Sequence, residues 1–68
     1  MKKIKIRDKT IRLGQLLKLS DISSSGGEAK MRIQNGEVFV NGHVELRKGA
    51  QLKLGDIVVV DGISVMVE

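Results

Sequence analysis

The chain has 68 residues and no cysteine, which allows one small domain and excludes a disulfide framework, a thiolate metal site and a thiol nucleophile. It carries 12 lysines and arginines against 8 aspartates and glutamates, a formal net charge of +4, and such a basic balance attracts phosphate backbones or acidic surfaces. No apolar stretch reaches the length of a membrane span or forms the apolar block of a secretion signal, so we expect a cytoplasmic protein with no membrane partner.

The first third of the chain predicts a strand followed by a helix. Ile4 and Ile6 alternate with charged residues, which indicates a half-exposed strand. A helix reaching to about residue 19 follows, because Leu13, Leu16 and Leu17 recur at the helical period and share one face. Seven of the twelve basic residues lie within the first 20 positions, so this third is where we expect a polyanion to dock. Lys2, Lys3 and Lys5 fit equally well as charges that keep an exposed edge strand soluble.

A second helix is predicted by a capping signal near the middle of the chain. Ser25 is a favourable N-cap, and Glu28 three residues later can accept a hydrogen bond from the backbone N–H of the cap, which completes a capping box. The helix is therefore expected to begin at Gly26. Ala29 and Ile33 lie four positions apart on one face, and they predict the side that packs on a core.

The rest of the chain predicts at least four strands joined by tight turns. Asn35-Gly36 supplies the left-handed residue that ends a helix. Hairpin turns are expected at Asn41-Gly42 and Asp61-Gly62, which separate apolar or alternating runs of strand-like sequence. Together these patterns predict an α+β domain, in which two short helices pack on a small, mostly antiparallel sheet of four to five strands.

Residues that could carry catalytic chemistry are few, and each has a structural interpretation. His43, the only histidine, falls at a hairpin turn and is interpreted as solvated. Asn41, Asp56 and Asp61 adjoin glycines and are interpreted as turn formers. Phe39, the only aromatic residue, fits a core residue, an exposed stacking group or an interface contact, and we predict the core. No nucleophile, metal-ligand set or acid–base pair can be assembled, so we expect no catalysis, cofactor, metal or small-molecule substrate.

A family resemblance is carried by the segment 26–42, with 13–18 before it and 47–49 and 52–56 after it. This pattern resembles the ribosomal protein S4-type RNA-binding domain, also called the αL motif, and in particular its free-standing single-domain members of the YaaA/YbcJ type. The motif core covers about residues 11–60, and we expect residues 1–68 to form a single domain of this kind. The resemblance implies non-enzymatic binding of structured RNA, ribosomal or tRNA-like, with a ribosomal particle as a further partner.

Carried over to matching positions, the resemblance implies a set of RNA-contacting residues on the two helices and a basic turn. Lys18 adds a cation on the first helix, and the candidate site comprises Arg12, Lys18, Ser25, Gly26, Gly27, Lys30, Arg32, Arg47 and Lys48. The chain departs from the family at Gly26, where many members have arginine, and at Gly14, where many have aspartate. Two interpretations of Gly26 and Gly27 stand: their backbone N–H groups, at the positive end of a helix, bind a phosphate and offset the missing arginine, or the two glycines form only a flexible cap.

The near-absence of aromatic residues indicates how RNA is recognised. Proteins that read single-stranded bases stack them on aromatic rings, and one phenylalanine makes no stacking platform. We therefore expect contacts with the phosphates and sugars of a folded or double-helical RNA, recognised by shape.

A second function class also fits a small basic domain. The chain could be a protein-interaction module that binds an acidic protein partner, such as a β-grasp sulfur carrier of similar length. Carrier chemistry needs a flexible Gly-Gly carboxyl terminus, whereas this sequence ends in Val67-Glu68, which counts against the carrier.

Overall fold

A computed structural model describes all 68 residues, which form two helices and seven short strands. The elements in chain order are β1 (Lys2–Ile4), β2 (Thr10–Arg12), α1 (Leu13–Leu19), α2 (Gly26–Gln34), β3 (Val38–Val40), β4 (His43–Val44), β5 (Gln51–Lys53), β6 (Ile57–Val60) and β7 (Ile63–Val67). The end of α1 and both ends of α2 lie where the sequence predicts, to within a residue. Neither has the length and apolar character that crossing a bilayer requires.

The strands form one five-stranded sheet and one separate pair. The order in the larger sheet is β1-β7-β6-β3-β4, and only the β1–β7 pairing is parallel. This confirms the predicted α+β fold with two helices on a mostly antiparallel sheet. The sequence did not predict the second sheet, in which β2 pairs antiparallel with β5 and places Arg12 opposite Gln51.

Both predicted hairpin turns are present. Asn41 and Gly42 have φ values of 51° and 85°, and Asp61 and Gly62 have 56° and 78°. Positive φ at both central residues is the signature of the two-residue turn that matches the twist of antiparallel strands. These turns set the register of the β3–β4 and β6–β7 hairpins.

A single hydrophobic core lies between the helices and one face of the large sheet. The side chains that are fully buried there come from both helices and from β3, β5, β6 and β7. They are Leu13, Leu16, Leu17, Ala29, Ile33, Val38, Leu52, Val58, Val60, Val65 and Val67. Ala29 and Ile33 are on the face of α2 that the sequence predicted to be buried. The polar flanks of both helices are therefore left free at the surface.

The prediction that Phe39 is a core residue is wrong. Alternation along β3 points Val38 into the core and Phe39 to the opposite face of the sheet, where Phe39 is 41% exposed. Helices cover only one face of this sheet, so the other face stays open to solvent. The cross-strand partner of Phe39 is Val44, which is 51% exposed.

Candidate nucleic-acid interface

The start of α2 is held by the predicted cap. The Ser25 hydroxyl accepts a hydrogen bond from the Glu28 N–H at 3.1 Å, and the helix begins at Gly26. The Glu28 carboxylate accepts from the Ser24 hydroxyl at 2.7 Å, so the second half of the predicted capping box, with the Ser25 N–H as donor, is replaced by this contact. This hydrogen bond from Ser24 is the main cause that lowers the pKa of Glu28. Ser25 is therefore engaged in capping, which orients the free N–H groups at the start of α2.

The basic turn after β4, residues 47–49, lies next to the start of α1 and is joined to it by backbone hydrogen bonds. Leu13 N–H donates to the Ala50 carbonyl at 2.9 Å, and Gly14 N–H donates to the Lys48 carbonyl at 3.0 Å. The Lys48 side chain crosses α1 at Gly14, where a Cβ atom would lie only 2.7 Å from the Lys48 Cγ. Its ammonium reaches the start of α2, 3.2 Å from the position a Cβ would occupy at Gly26.

These contacts form an open groove of about 380 Å³ between the two helices and the basic turn, hereafter the basic groove. Its lining residues are Arg12, Gly14, Gln15, Lys18, Gly26, Lys48 and Gly49. No acidic and no hydrophobic residue lines it. Three cationic side chains and the positive end of α2 face the same space, so their mutual repulsion is relieved when an anion enters.

Four of the candidate residues named from the sequence line this groove: Arg12, Lys18, Gly26 and Lys48. Gly14, Gln15 and Gly49 also line it and were not among the candidates. Gly14 was visible in the sequence as a departure from the family pattern, but its role depends on Lys48 lying across it. Gln15 lies in the segment 13–18 that carries part of the family resemblance, but it has no charge and was not named as a contact.

Lys30 and Arg32 lie on different flanks of α2. At about 100° per residue the two side chains are about 160° apart around the helix axis. Lys30 is exposed, and it is four residues from Gly26 on the flank that borders the basic groove. Arg32 is 3.6 Å from Glu28 and 3.5 Å from Glu37, so two carboxylates already neutralise its charge.

Arg47 also lies outside the lining of the groove. Its guanidinium binds Glu45 through two hydrogen bonds, Nε to Oε2 at 3.1 Å and Nη2 to Oε1 at 3.2 Å. These contacts raise the pKa of Arg47 and lower that of Glu45. Although 79% of the Arg47 side chain is exposed, its charge is paired, whereas the neighbouring Lys48 forms no ion pair. Gly27, too, is absent from the groove lining.

Pairing divides the basic residues into two groups. Ion pairs within 4 Å involve Arg32, Arg47 and Lys53 alone among the cations. The three cations of the basic groove are unpaired and share a lining that holds no acidic residue, so their charges add to a local positive potential. No group of three or more histidine, aspartate or glutamate side chains is placed to hold a metal ion.

A match to a family model establishes the family of this chain. The family model described as S4 domain matches residues 4–68. The chain belongs to the S4 domain family. The match extends beyond the 11–60 core of the sequence motifs, because it includes the last residue of β1 and the whole of β7.

Relatives of this S4 domain match it over most of their length. It is 44% identical over 61 residues to the probable ribosome maturation protein RlbA of Bacillus subtilis, covering 90% of this chain and 86% of that protein. It is also 44% identical over 57 residues to the putative RNA-binding protein YbcJ of Escherichia coli, covering 84% of this chain and 81% of YbcJ.

Solved structures show the same fold. The solution structure of E. coli YbcJ, described as having an αL motif involved in RNA binding, matches with a TM-score of 0.75 and 38% identity. That match covers 98% of this chain and 86% of YbcJ. The 30S ribosomal protein S4e of Thermoplasma acidophilum matches with a TM-score of 0.64 and 27% identity, over 85% of this chain and 31% of S4e.

Proposed function

We propose that this S4 domain is a non-enzymatic RNA-binding protein, and that it holds phosphates of a structured RNA in the basic groove. The observation that carries the proposal is the convergence of Arg12, Lys18 and Lys48 with the start of α2 in a groove that has no acidic residue. A phosphate in this groove accepts hydrogen bonds from unpaired cations and from free N–H groups at the start of the helix.

Recognition through the RNA backbone is favoured over base stacking. Phe39, the only aromatic residue, is on the face of the sheet opposite the helices, so it cannot stack a base at the basic groove. Lys30, on the adjoining flank of α2, adds a fourth unpaired cation. Contacts of this kind follow the shape of a folded or double-helical RNA and carry little sequence information.

The class of RNA is proposed from the relatives. One is named for ribosome maturation, one for RNA binding, and a structural neighbour is a ribosomal protein. We place the target among ribosomal or tRNA-like RNAs, with an assembling ribosomal particle in the cytoplasm as the larger partner. The carrier-like alternative gains no support from the family match, and no surface feature favours an acidic protein over RNA.

Salt dependence tests the proposal directly. If about four phosphates are neutralised, the slope of log affinity against log salt is near −3 to −4, and binding weakens about a hundredfold between about 50 and 200 mM salt. Fluorescence anisotropy with labelled ribosomal RNA fragments measures this slope. An affinity that does not change with salt contradicts the proposal.

A second prediction concerns Gly14, because Lys48 crosses it. In Gly14→Ala the new methyl group would lie 2.7 Å from the Lys48 Cγ, so the lysine must leave its position over α1. We expect RNA affinity to fall about tenfold, the effect of losing one charged contact. The control is Gly14→Ala in a Lys48→Gln background, where the new methyl group displaces no cation. A further loss of affinity there, as large as in the wild-type background, would argue against the described position of Lys48.

A further inference from the structure

A second groove adjoins the basic groove on the other side of α1. It has a volume of about 300 Å³ and is lined by Lys5, Ile6, Arg7, Asp8, Thr10, Ile11, Gln15 and Leu19. Its cations, Lys5 and Arg7, come from the segment between β1 and β2 and form no ion pair. Asp8 lines the same flanking groove, so the two cations leave it a formal net charge of +1, and it continues the positive surface more weakly beyond the residues that the family resemblance implied.

Gln15 is the one residue that lines both grooves. It projects from the exposed side of α1, and its side-chain amide makes no hydrogen bond within the protein. The Gln15 amide is therefore an uncharged hydrogen-bond donor and acceptor that lies between the cations of the basic groove and those of the flanking groove. An RNA backbone that lies across both grooves presents phosphates to the cations and the intervening ribose to Gln15.

We infer that Gln15 hydrogen-bonds a ribose 2′-hydroxyl and thereby favours RNA over a backbone that lacks this group. The inference rests on the proposed function and adds a specificity-determining residue to it. A primary amide has both a donor and an acceptor, which matches the 2′-hydroxyl, and this hydroxyl is what distinguishes RNA from DNA. An uncharged amide adds little to phosphate attraction, so its contribution can be separated from that of the cations by salt dependence.

The test compares Gln15→Met with the wild-type protein on two duplexes of about 16 base pairs, the length that a double-stranded RNA-binding domain spans. One duplex is ordinary RNA, and the other has the same sequence with 2′-fluoro riboses, which keep the A-form shape but lack the hydroxyl donor. Methionine matches glutamine in size and helix propensity but cannot replace its hydrogen bonds. The wild-type protein is expected to prefer ordinary RNA about three- to tenfold, and Gln15→Met to lose this preference with an unchanged salt slope.

Gln34→Met is the matched control, because Gln34 is also exposed on a helix and lies about 12 Å along α2 from Gly26. It is expected to keep the preference. If Gln15→Met weakens binding to both duplexes equally, or to neither, the inference is wrong and the proposed function is unaffected. If neither duplex binds the wild-type protein even at low salt, the proposed function fails and the inference fails with it.

The part played by the flanking groove is tested with the double substitution Lys5→Gln and Arg7→Gln. Each cation that contacts a phosphate contributes about one to the salt slope, so an RNA that also reaches Lys5 and Arg7 adds about two to the slope expected from the basic groove and Lys30, and the double substitution removes this addition. An unchanged slope means that the RNA does not reach these cations, which overturns the inference that Gln15 lies between two bound backbone segments.

Discussion

The double substitution Arg12→Gln and Lys48→Gln is expected to weaken binding of structured RNA at about 50 mM salt by about a hundredfold or more. Both cations line the basic groove and form no ion pair, so each is available to a phosphate. A hydrogen bond to a charged group contributes about 1.5 kcal/mol or more, and two such losses exceed two decades of affinity. Anisotropy titration measures the loss, and the salt slope should fall by about two.

The matched control removes the same two positive charges elsewhere. Arg32→Gln and Arg47→Gln leave the net charge equal to that of the groove variant, but both arginines are already paired with carboxylates. We expect the control to bind within about threefold of wild type, because exposed ion pairs contribute little and their cations are not free. If both double variants lose affinity equally, binding follows net charge and the basic groove is not the site. Thermal unfolding of each variant confirms that the fold is intact.

Short sequence signals predicted those helix ends and turns that depend only on neighbouring residues. The α2 helix begins at Gly26 because Ser25 caps it, and both hairpins turn where an asparagine or aspartate precedes glycine. Such signals act over about four residues and can be read without the tertiary structure. For the same reason, Arg12, Lys18, Gly26 and Lys48 could be named as candidates from their place in a motif.

Long-range contacts decided what the sequence left open. The β2–β5 pairing joins segments separated by both helices and the first hairpin, and no local pattern indicates it. Arg47 and Lys48 are neighbours in sequence, yet one binds Glu45 and the other crosses α1 at Gly14. Which of two adjacent cations faces the groove depends on the attachment of the turn to α1. The open face of the sheet, which exposes Phe39, likewise depends on where the helices pack.

Asp56 was interpreted from the sequence as a turn former, and the structure gives it a larger role. It is only 7% exposed, and its carboxylate accepts three hydrogen bonds. Lys53 N–H donates at 2.9 Å, Asn41 Nδ2 at 3.1 Å and Lys53 Nζ at 3.2 Å. Asn41 in turn accepts from the Ile57 N–H at 2.9 Å, so the first hairpin turn is tied to the start of β6.

Asp56→Asn is therefore expected to lower the free energy of unfolding by about 2 kcal/mol. The two carboxylate oxygens of Asp56 accept three hydrogen bonds, whereas an asparagine amide has only one oxygen that can accept. For a domain of this size the melting temperature should fall by on the order of 10 °C. Asp61→Asn is the matched control: Asp61, like Asp56, is a turn aspartate next to a glycine, but its side chain makes no hydrogen bond. Asparagine is favoured in such turns, so the control should unfold within about 0.5 kcal/mol of wild type.

The pH dependence identifies the charged form of Asp56 as the source of this stability. Burial, the largest single influence, raises the pKa of Asp56, but the hydrogen bonds from Lys53 and Asn41 outweigh it and leave the pKa below the usual 3.8. A lowered carboxyl pKa stabilises the fold above the unfolded-state value, and this contribution is lost as the pH falls through the folded-state value. The stability difference between wild type and Asp56→Asn should therefore be full at neutral pH and shrink below about pH 4. A difference that stays constant down to strongly acidic pH would show that packing at residue 56, rather than the carboxylate charge, stabilises the turn.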